Sequence, residues 1–306
     1  MRFKLAGVVV PMVTPFREDE TLDEEALRRS CDRLVGSGVD GLFPVGSTGE
    51  FYALRDCERR RVLQVVVEQC AGRVPVFAGA SGISTGSAAE FAREAEELGA
   101  DAVVVLTPFY INPTQDELYD HFRSIAEATG LPVLPYNNPT RTAVNLAPET
   151  VARLAEIRNV VGIKDSSGNL AQTSEYIAAT PGVFAVFQGQ DSIIAASLSM
   201  GVVGAVPATA NVAPDVVVGL YRAFLAGNME ACKEAQRKLA VLRKALQLGT
   251  FPVVFKEAMA MVGFPVGPAR RPCAPLDDVR RRQLRRMLEG IGLLEVRPES
   301  VSASMA

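Results

Sequence analysis

Histidine is almost absent from this 306-residue chain: His121 is the only one, and there is no tryptophan. A Ser-His-Asp triad would have to run through His121, which lies in a helix-like stretch with no triad signal near it. A zinc site without histidine needs clustered cysteines or carboxylates. The five cysteines (Cys31, Cys57, Cys70, Cys232, Cys273) are odd in number, scattered, and in no CxxC pair. They read as free thiols of a reducing cytoplasm, not as a disulfide frame or a metal site, and no metal is expected. Positive charge is not in excess either. Lys and Arg total 32 against 35 Asp and Glu, a net charge of −3, which excludes general polyanion binding, so nucleic acid is not an expected partner. The five arginines of 280–286 are flanked by Asp277, Asp278 and Glu289 and read as a solvated helix face. No apolar run is long enough to span a bilayer, so no membrane partner is expected. The first residues lack the apolar stretch and small-residue cleavage site of a secretion signal. Any acid–base chemistry therefore falls to Tyr, Lys, Asp, Glu or water.

What the chain does have is a rhythm. Short apolar runs occur at Val8–Val13, Gly41–Val45, Pro75–Ala78, Ala102–Leu106, Pro132–Tyr136, Val160–Ile163, Phe184–Phe187 and Val202–Val206. They do not alternate with polar residues, as expected of parallel strands buried on both faces. Helically spaced segments lie between them, among them Glu24–Leu34, Glu58–Cys70, Ala88–Leu98, Gln115–Ala128 and Glu149–Ile157. Asp23, Thr85, Ser87, Thr114 and Asp191 are helix-start signals. Eight such units predict an α/β fold of the (β/α)8 TIM-barrel type. The even count, and the lack of a GxGxxG turn after the first strand, argue against an open doubly wound sheet. From 228 on only helical patterns remain (Glu230–Leu248, Pro252–Val262, Asp277–Leu293). The expected division is a barrel over 1–227, a C-terminal helical extension over 228–294, and a disordered polar tail over 295–306.

In such a barrel the site lies at the C-terminal ends of the strands. Lys164 follows the apolar run Val160-Val161-Gly162-Ile163, so it belongs to the barrel wall. Desolvation there would lower its pKa and leave an amine able to attack a carbonyl; the alternative is a structural pairing with Asp165 or Glu50. Ser47 and Thr48 lie between glycines at the end of the second strand. Their amides suit a carboxylate, although from this motif alone a tight turn with hydroxyls capping the next helix is the favoured reading. Tyr110 and Tyr136 end the fourth and fifth strands. Arg141 follows a proline turn, where it would be either solvated or aimed at a substrate carboxylate.

Three motifs together resemble the dihydrodipicolinate synthase / N-acetylneuraminate lyase superfamily. They are Gly41–Glu50 (GLFPVGSTGE), Tyr136-Asn137-Asn138-Pro139, and Gly162–Ser166 around Lys164, and their spacing fits across nearly the whole chain. The resemblance implies a Schiff base between Lys164 and pyruvate. Tyr136 would move protons, with Ser47 and Tyr110 completing a hydroxyl relay, Tyr110 within a neighbouring subunit's site. Thr48, Arg141 and Val206 would bind substrate. It implies no metal or organic cofactor, a cytoplasmic homotetramer built as a dimer of dimers, and two small-molecule partners, pyruvate and an aldehyde. The run Asn138-Pro139-Thr140-Arg141-Thr142 resembles the synthase pattern, in which the arginine holds the carboxylate of aspartate semialdehyde. A pyruvate-releasing aldolase or dehydratase acting on keto-deoxy sugar acids or N-acetylneuraminate, and a non-catalytic keto-acid sensor, are the alternatives.

Overall fold

The computed structural model describes residues 3–295. Eight parallel strands form one sheet: β1 (Gly7–Pro11), β2 (Gly41–Phe43), β3 (Phe77–Gly79), β4 (Ala102–Leu106), β5 (Val133–Asn137), β6 (Gly162–Asp165), β7 (Ala185–Gln188) and β8 (Gly204–Ala205). Their order is β2-β1-β8-β7-β6-β5-β4-β3. A parallel bridge between Leu42 and Val76 joins the two edges and closes the ring, so no strand edge is left open to solvent. Each expected apolar run contains or overlaps one strand, and every strand residue is buried. That follows from the architecture: side chains on one face fill the barrel and those on the other face pack under helices.

The helices that cover the barrel are α1 (Glu24–Gly36), α2 (Asp56–Cys70), α3 (Thr85–Glu97), α4 (Gln115–Glu127), a single turn α5 (Pro139–Thr142), α6 (Pro148–Leu154), α7 (Leu170–Ala179), α8 (Ile194–Ser199) and α9 (Pro214–Leu225). The extension adds α10 (Met229–Ala245), α11 (Val253–Met261) and α12 (Asp278–Gly290). Residues 296–306 of the expected disordered tail lie outside the described residues. Asp23 caps α1, and Thr114 forms a capping box with Glu117 on α4, as their sequence contexts suggest. The other three start signals resolve differently. Ser84, not Thr85 or Ser87, caps α3. Asp191 begins a short 3-10 turn but caps nothing, because its Oδ1 accepts the amide and hydroxyl of Thr209 at 2.9 and 2.7 Å.

One buried ion pair ties the extension to the barrel. Lys256 Nζ on α11 lies 2.6 Å from Glu50 Oε1, both side chains almost wholly buried, and it also donates to the Pro268 carbonyl at 2.8 Å. Glu50 Oε2 accepts the Arg270 amide at 3.0 Å. The Arg270 guanidinium forks onto Glu58 at 2.6 and 2.7 Å. Phe16 lies under both cations, each 4.3 Å from its ring centroid. Burial pulls Lys256 down to about 8 against the opposing charge of Glu50. Removing one member strands the other charge in the interior, which typically costs about 3–5 kcal/mol. Lys256→Met should therefore unfold at much lower denaturant, with Glu50→Gln/Lys256→Met together less damaging than the lysine change alone.

His121 makes a second, separable prediction. It is buried on α4, accepts or shares a proton with Thr85 Oγ1 at 2.9 Å, and has an unpartnered Nε2. Desolvation lowers its pKa to about 4 from an unperturbed 6.5. The unfolded chain thus binds a proton first. The stability His121 contributes is complete above pH ~6.5 and lost as pH falls toward ~4, by up to about 3 kcal/mol. Denaturant titrations across that window should show a shallower pH slope in His121→Asn than in the parent.

Candidate active site

The rim of the barrel at the strands' C-terminal ends holds a cleft of about 300 Å³. Lys164 projects into it from β6. Its Cα partner across the ladder is Tyr136 on β5, so the spacing of the two motifs in sequence becomes direct adjacency in space. Lys164 Nζ lies 3.8 Å from the centroid of the Tyr136 ring and 5.0 Å from that of Phe43. The lysine is 4% exposed. Burial lowers its pKa, only partly opposed by Tyr136 and Asp191.

Both structural partners considered for Lys164 are occupied elsewhere. Asp165, the next strand residue, points to the opposite face. There it binds the Ser167 amide and hydroxyl, the Thr173 hydroxyl and the Asn137 amide. Glu50 is committed to Lys256. Among the described residues the amine therefore has no carboxylate at ion-pair distance; it lies against the rings of Tyr136 and Phe43, with the Tyr136 hydroxyl beside it.

Gly189, at the end of β7, is required by this packing: a Cβ there would stand 3.1 Å from Lys164 Cε and collide with Ser166 Oγ. Tyr136 is buried, and its hydroxyl accepts from Asn138 Nδ2 at 2.8 Å. Burial alone would raise its pKa. The Lys164 charge, with Ser166 and Asn138 beside the hydroxyl, more than offsets this and lowers it. Ser166 Oγ is buried in the cleft with no partner among the described residues.

Ser47 and Thr48 both line the cleft. Neither caps α2, whose N-cap is Arg55; the turn closes through Gly49 N to Gly46 O and Glu50 N to Ser47 O. The amides and hydroxyls of Ser47 and Thr48, at the edge of the cleft, donate no hydrogen bond among the described residues. Val45 and Glu50 flank the turn at φ 59° and 57°, in the left-handed region. For β-branched Val45 that conformation is strained, as often found at sites whose geometry the surrounding fold fixes.

Arg141 reaches the cleft from α5, its guanidinium 4.3 Å above the Phe251 ring. Val206 lines the same cleft. The structure thus brings together six of the seven expected site residues. Tyr110 is the exception: it follows β4 at φ 75°, is 93% exposed, and does not line the cleft of its own chain. Sequence reasoning missed Asn138, Ser166, Asp191, Phe251 and Arg243, all of which line the cleft. Arg243 and Phe251 belong to the helical extension, where nothing in the local pattern separates a site residue from a solvated one.

A variant separates desolvation from simple exposure at the amine. The phenol of Tyr136 supports the charged form of Lys164, so in Tyr136→Phe the amine should titrate lower still. NMR of lysine-labelled protein should show the Lys164 side chain titrating below the solvent-exposed lysines in the parent and further below them in the variant; titration in step with them would contradict the geometry.

Residues 4–291 match the model of the dihydrodipicolinate synthetase family. The 4-hydroxy-tetrahydrodipicolinate synthase of Methanopyrus kandleri is 40% identical over 296 residues, spanning 96% of this chain and 99% of the relative. Among solved structures, the chloride-inhibited dihydrodipicolinate synthase of Acinetobacter baumannii complexed with pyruvate superimposes with a TM-score of 0.91 at 34% identity. It covers 95% of this chain and all (100%) of that one. A monomeric dihydrodipicolinate synthase variant matches with a TM-score of 0.90 at 37% identity, covering 95% of this chain and 98% of its own.

Proposed function

The chain belongs to the dihydrodipicolinate synthetase family, and from that membership we propose that it is a lyase condensing pyruvate with L-aspartate 4-semialdehyde to 4-hydroxy-tetrahydrodipicolinate, the step that commits carbon to diaminopimelate and lysine. The observation that carries this reading is the sharing of one cleft by a desolvated amine, Lys164, and a carboxylate-binding guanidinium, Arg141.

The chemistry follows from what each group offers. The pyruvate carboxylate sits on the amides and hydroxyls of Ser47 and Thr48, which places its keto carbon against Lys164 Nζ. The neutral amine adds to that carbon, and loss of water leaves an imine. Protonated, this iminium draws electrons from the neighbouring methyl group, which gives up a proton and becomes a nucleophilic enamine. Tyr136, with its lowered pKa and Asn138 on its hydroxyl, is the group positioned to take and return protons, a role histidine usually fills. The enamine carbon attacks the aldehyde carbon of the second substrate, whose carboxylate Arg141 holds. The amino group of that substrate then displaces Lys164 from the imine carbon, closing the ring and freeing the amine. Over the whole cycle one water is released. The covalent work rests on Lys164, and no step calls for a metal or an organic cofactor.

Tyr110, outside its own cleft, has a place in this scheme only across a subunit boundary. We assign it to the relay of a neighbouring copy within a dimer, and the dimers to a tetramer. The scattered free thiols suit a reducing cytoplasm, and among the described residues no helix is long and apolar enough to cross a membrane.

Arg141 weighs against the sugar-acid reading, because a neutral polyol chain gives the guanidinium at the cleft no anion to hold. Borohydride reduction in the presence of pyruvate should add one pyruvate-derived mass at Lys164, and Lys164→Ala should abolish it. Arg141→Ala should keep the adduct and lose roughly 10²-fold or more in kcat/KM for the semialdehyde, as expected when a charge-assisted fork is removed. Trapping without turnover on any aldehyde would point to a sensor instead, and turnover confined to keto-deoxy sugar acids would point to the aldolase.

A further inference from the structure

Arg243 has no role in the scheme above. It stands in the last turn of α10 and enters the cleft from the helical extension. It also lines an adjoining cavity of about 540 Å³ that it shares with Arg141, Gln190, Lys244 and Phe251. Two guanidiniums, one from the barrel and one from the extension, thus face the same approach to Lys164.

The way Arg243 is held distinguishes it from the structural arginines. Arg270 spends its fork on Glu58 at 2.6 and 2.7 Å. Arg243 makes no side-chain hydrogen bond among the described residues. Its nearest charge is Asp191 Oδ2, at 3.7 Å, well beyond the roughly 2.7–2.9 Å of a charge-assisted hydrogen bond. Asp191 is rigid, since its other oxygen is fixed by Thr209, and Oδ2 is buried with no hydrogen-bond partner. The carboxylate therefore steadies Arg243 by charge while leaving its donors unspent. The side chain is one-third exposed and lines the cleft. An arginine oriented but not consumed, lining the same cleft as a second arginine, is arranged to receive an anion.

We propose that Arg243 is a second carboxylate-binding residue for the aldehyde substrate, acting with Arg141 to select short aldehydes that carry a terminal carboxylate. This rests on the reading that the acceptor is such a semialdehyde. The acceptor's carboxylate lies between the two guanidiniums with its carbonyl turned toward the enamine on Lys164. Neutral aldehydes gain nothing from this and are rejected relative to the anionic ones.

Steady-state kinetics of the full-length enzyme at saturating pyruvate test this. Arg243→Gln should raise the KM for aspartate semialdehyde roughly ten- to fiftyfold, as loss of hydrogen bonds to a charged group does. It should leave kcat within about threefold. The KM for pyruvate and the yield of the borohydride adduct should not change. Arg243→Lys should recover only part of the loss, because an ammonium keeps the charge but not the fork. A semialdehyde KM within twofold of the parent would overturn the proposal. So would a parallel rise in both KM values, which would mean that Arg243 merely neutralises Asp191 and supports the cleft as a whole. The functional reading fails separately, in the parent enzyme, if it does not turn over the semialdehyde. The same variant comparison is then made on whichever acceptor the parent uses: a selective KM effect on another carboxylated aldehyde sustains the inference, and use of a neutral aldehyde refutes it.

Discussion

The site depends on an amine kept out of water without a counter-ion. An ammonium buried in an apolar wall is costly unless it is paired or gives up its proton, and here the pairing has been withheld. Asp165 is turned to the far side of β6 by strand alternation, where four hydrogen bonds hold it. Glu50, the other acid close by in the sequence motifs, is consumed by Lys256. What remains beside Lys164 Nζ is the face of Tyr136 and the edge of the space over Phe43. The same sheet register that buries the lysine delivers the phenol. One constraint therefore places both the proposed nucleophile and the proposed proton carrier.

That constraint makes the Glu50–Lys256 pair more than a clamp. Glu50 follows the Ser47–Thr48 turn directly and sits at a left-handed φ, a conformation that costs free energy for a non-glycine residue. The pair, the Arg270 amide and the fork to Glu58 over-determine that backbone. As a result the turn keeps its amides free for a carboxylate instead of relaxing into a helix cap. Positive φ recurs at Ala143, directly after the α5 turn that carries Arg141. A rim built this way is set before substrate arrives, which is what catalysis by positioned dipoles requires.

Much of this was legible in the sequence, for an identifiable reason. A parallel strand buried on both faces has to be a short, unbroken apolar run, and eight such runs with helices between them leave few architectures open. Lys164 announced itself because a charge at the end of such a run needs an explanation. The readings that went astray concern partners distant in sequence. Asp191 looked like a helix cap because an acid before a helical stretch usually is one; its carboxylate instead serves Thr209, eighteen positions on. Helix α7 went unremarked because its buried side is narrow, with only Thr173 and Tyr176 buried. Arg243 and Phe251 were invisible because an arginine in the last turn of an amphipathic helix is, locally, only favourable charge at the negative end of the helix dipole.

The last point bears on how the enzyme divides its labour. The groups proposed for the covalent chemistry lie on β5, on β6 and in the turn after β2, and β5 and β6 are fixed by the hydrogen-bond ladder of the barrel. The arginines proposed to meet the second substrate come from α5 and from the end of α10. These are short, partly exposed elements, held by a stacking contact to Phe251 and a loose ion pair to Asp191. Side chains anchored so lightly can change without disturbing the ladder that holds Lys164, and only Asp191, beside Arg243, also acts on the amine through its charge. On the proposed scheme the pyruvate half of the reaction is therefore a property of the barrel. The choice of acceptor is a property of the helices laid over its mouth, and the two meet in the cleft that Lys164, Arg141 and Arg243 line together.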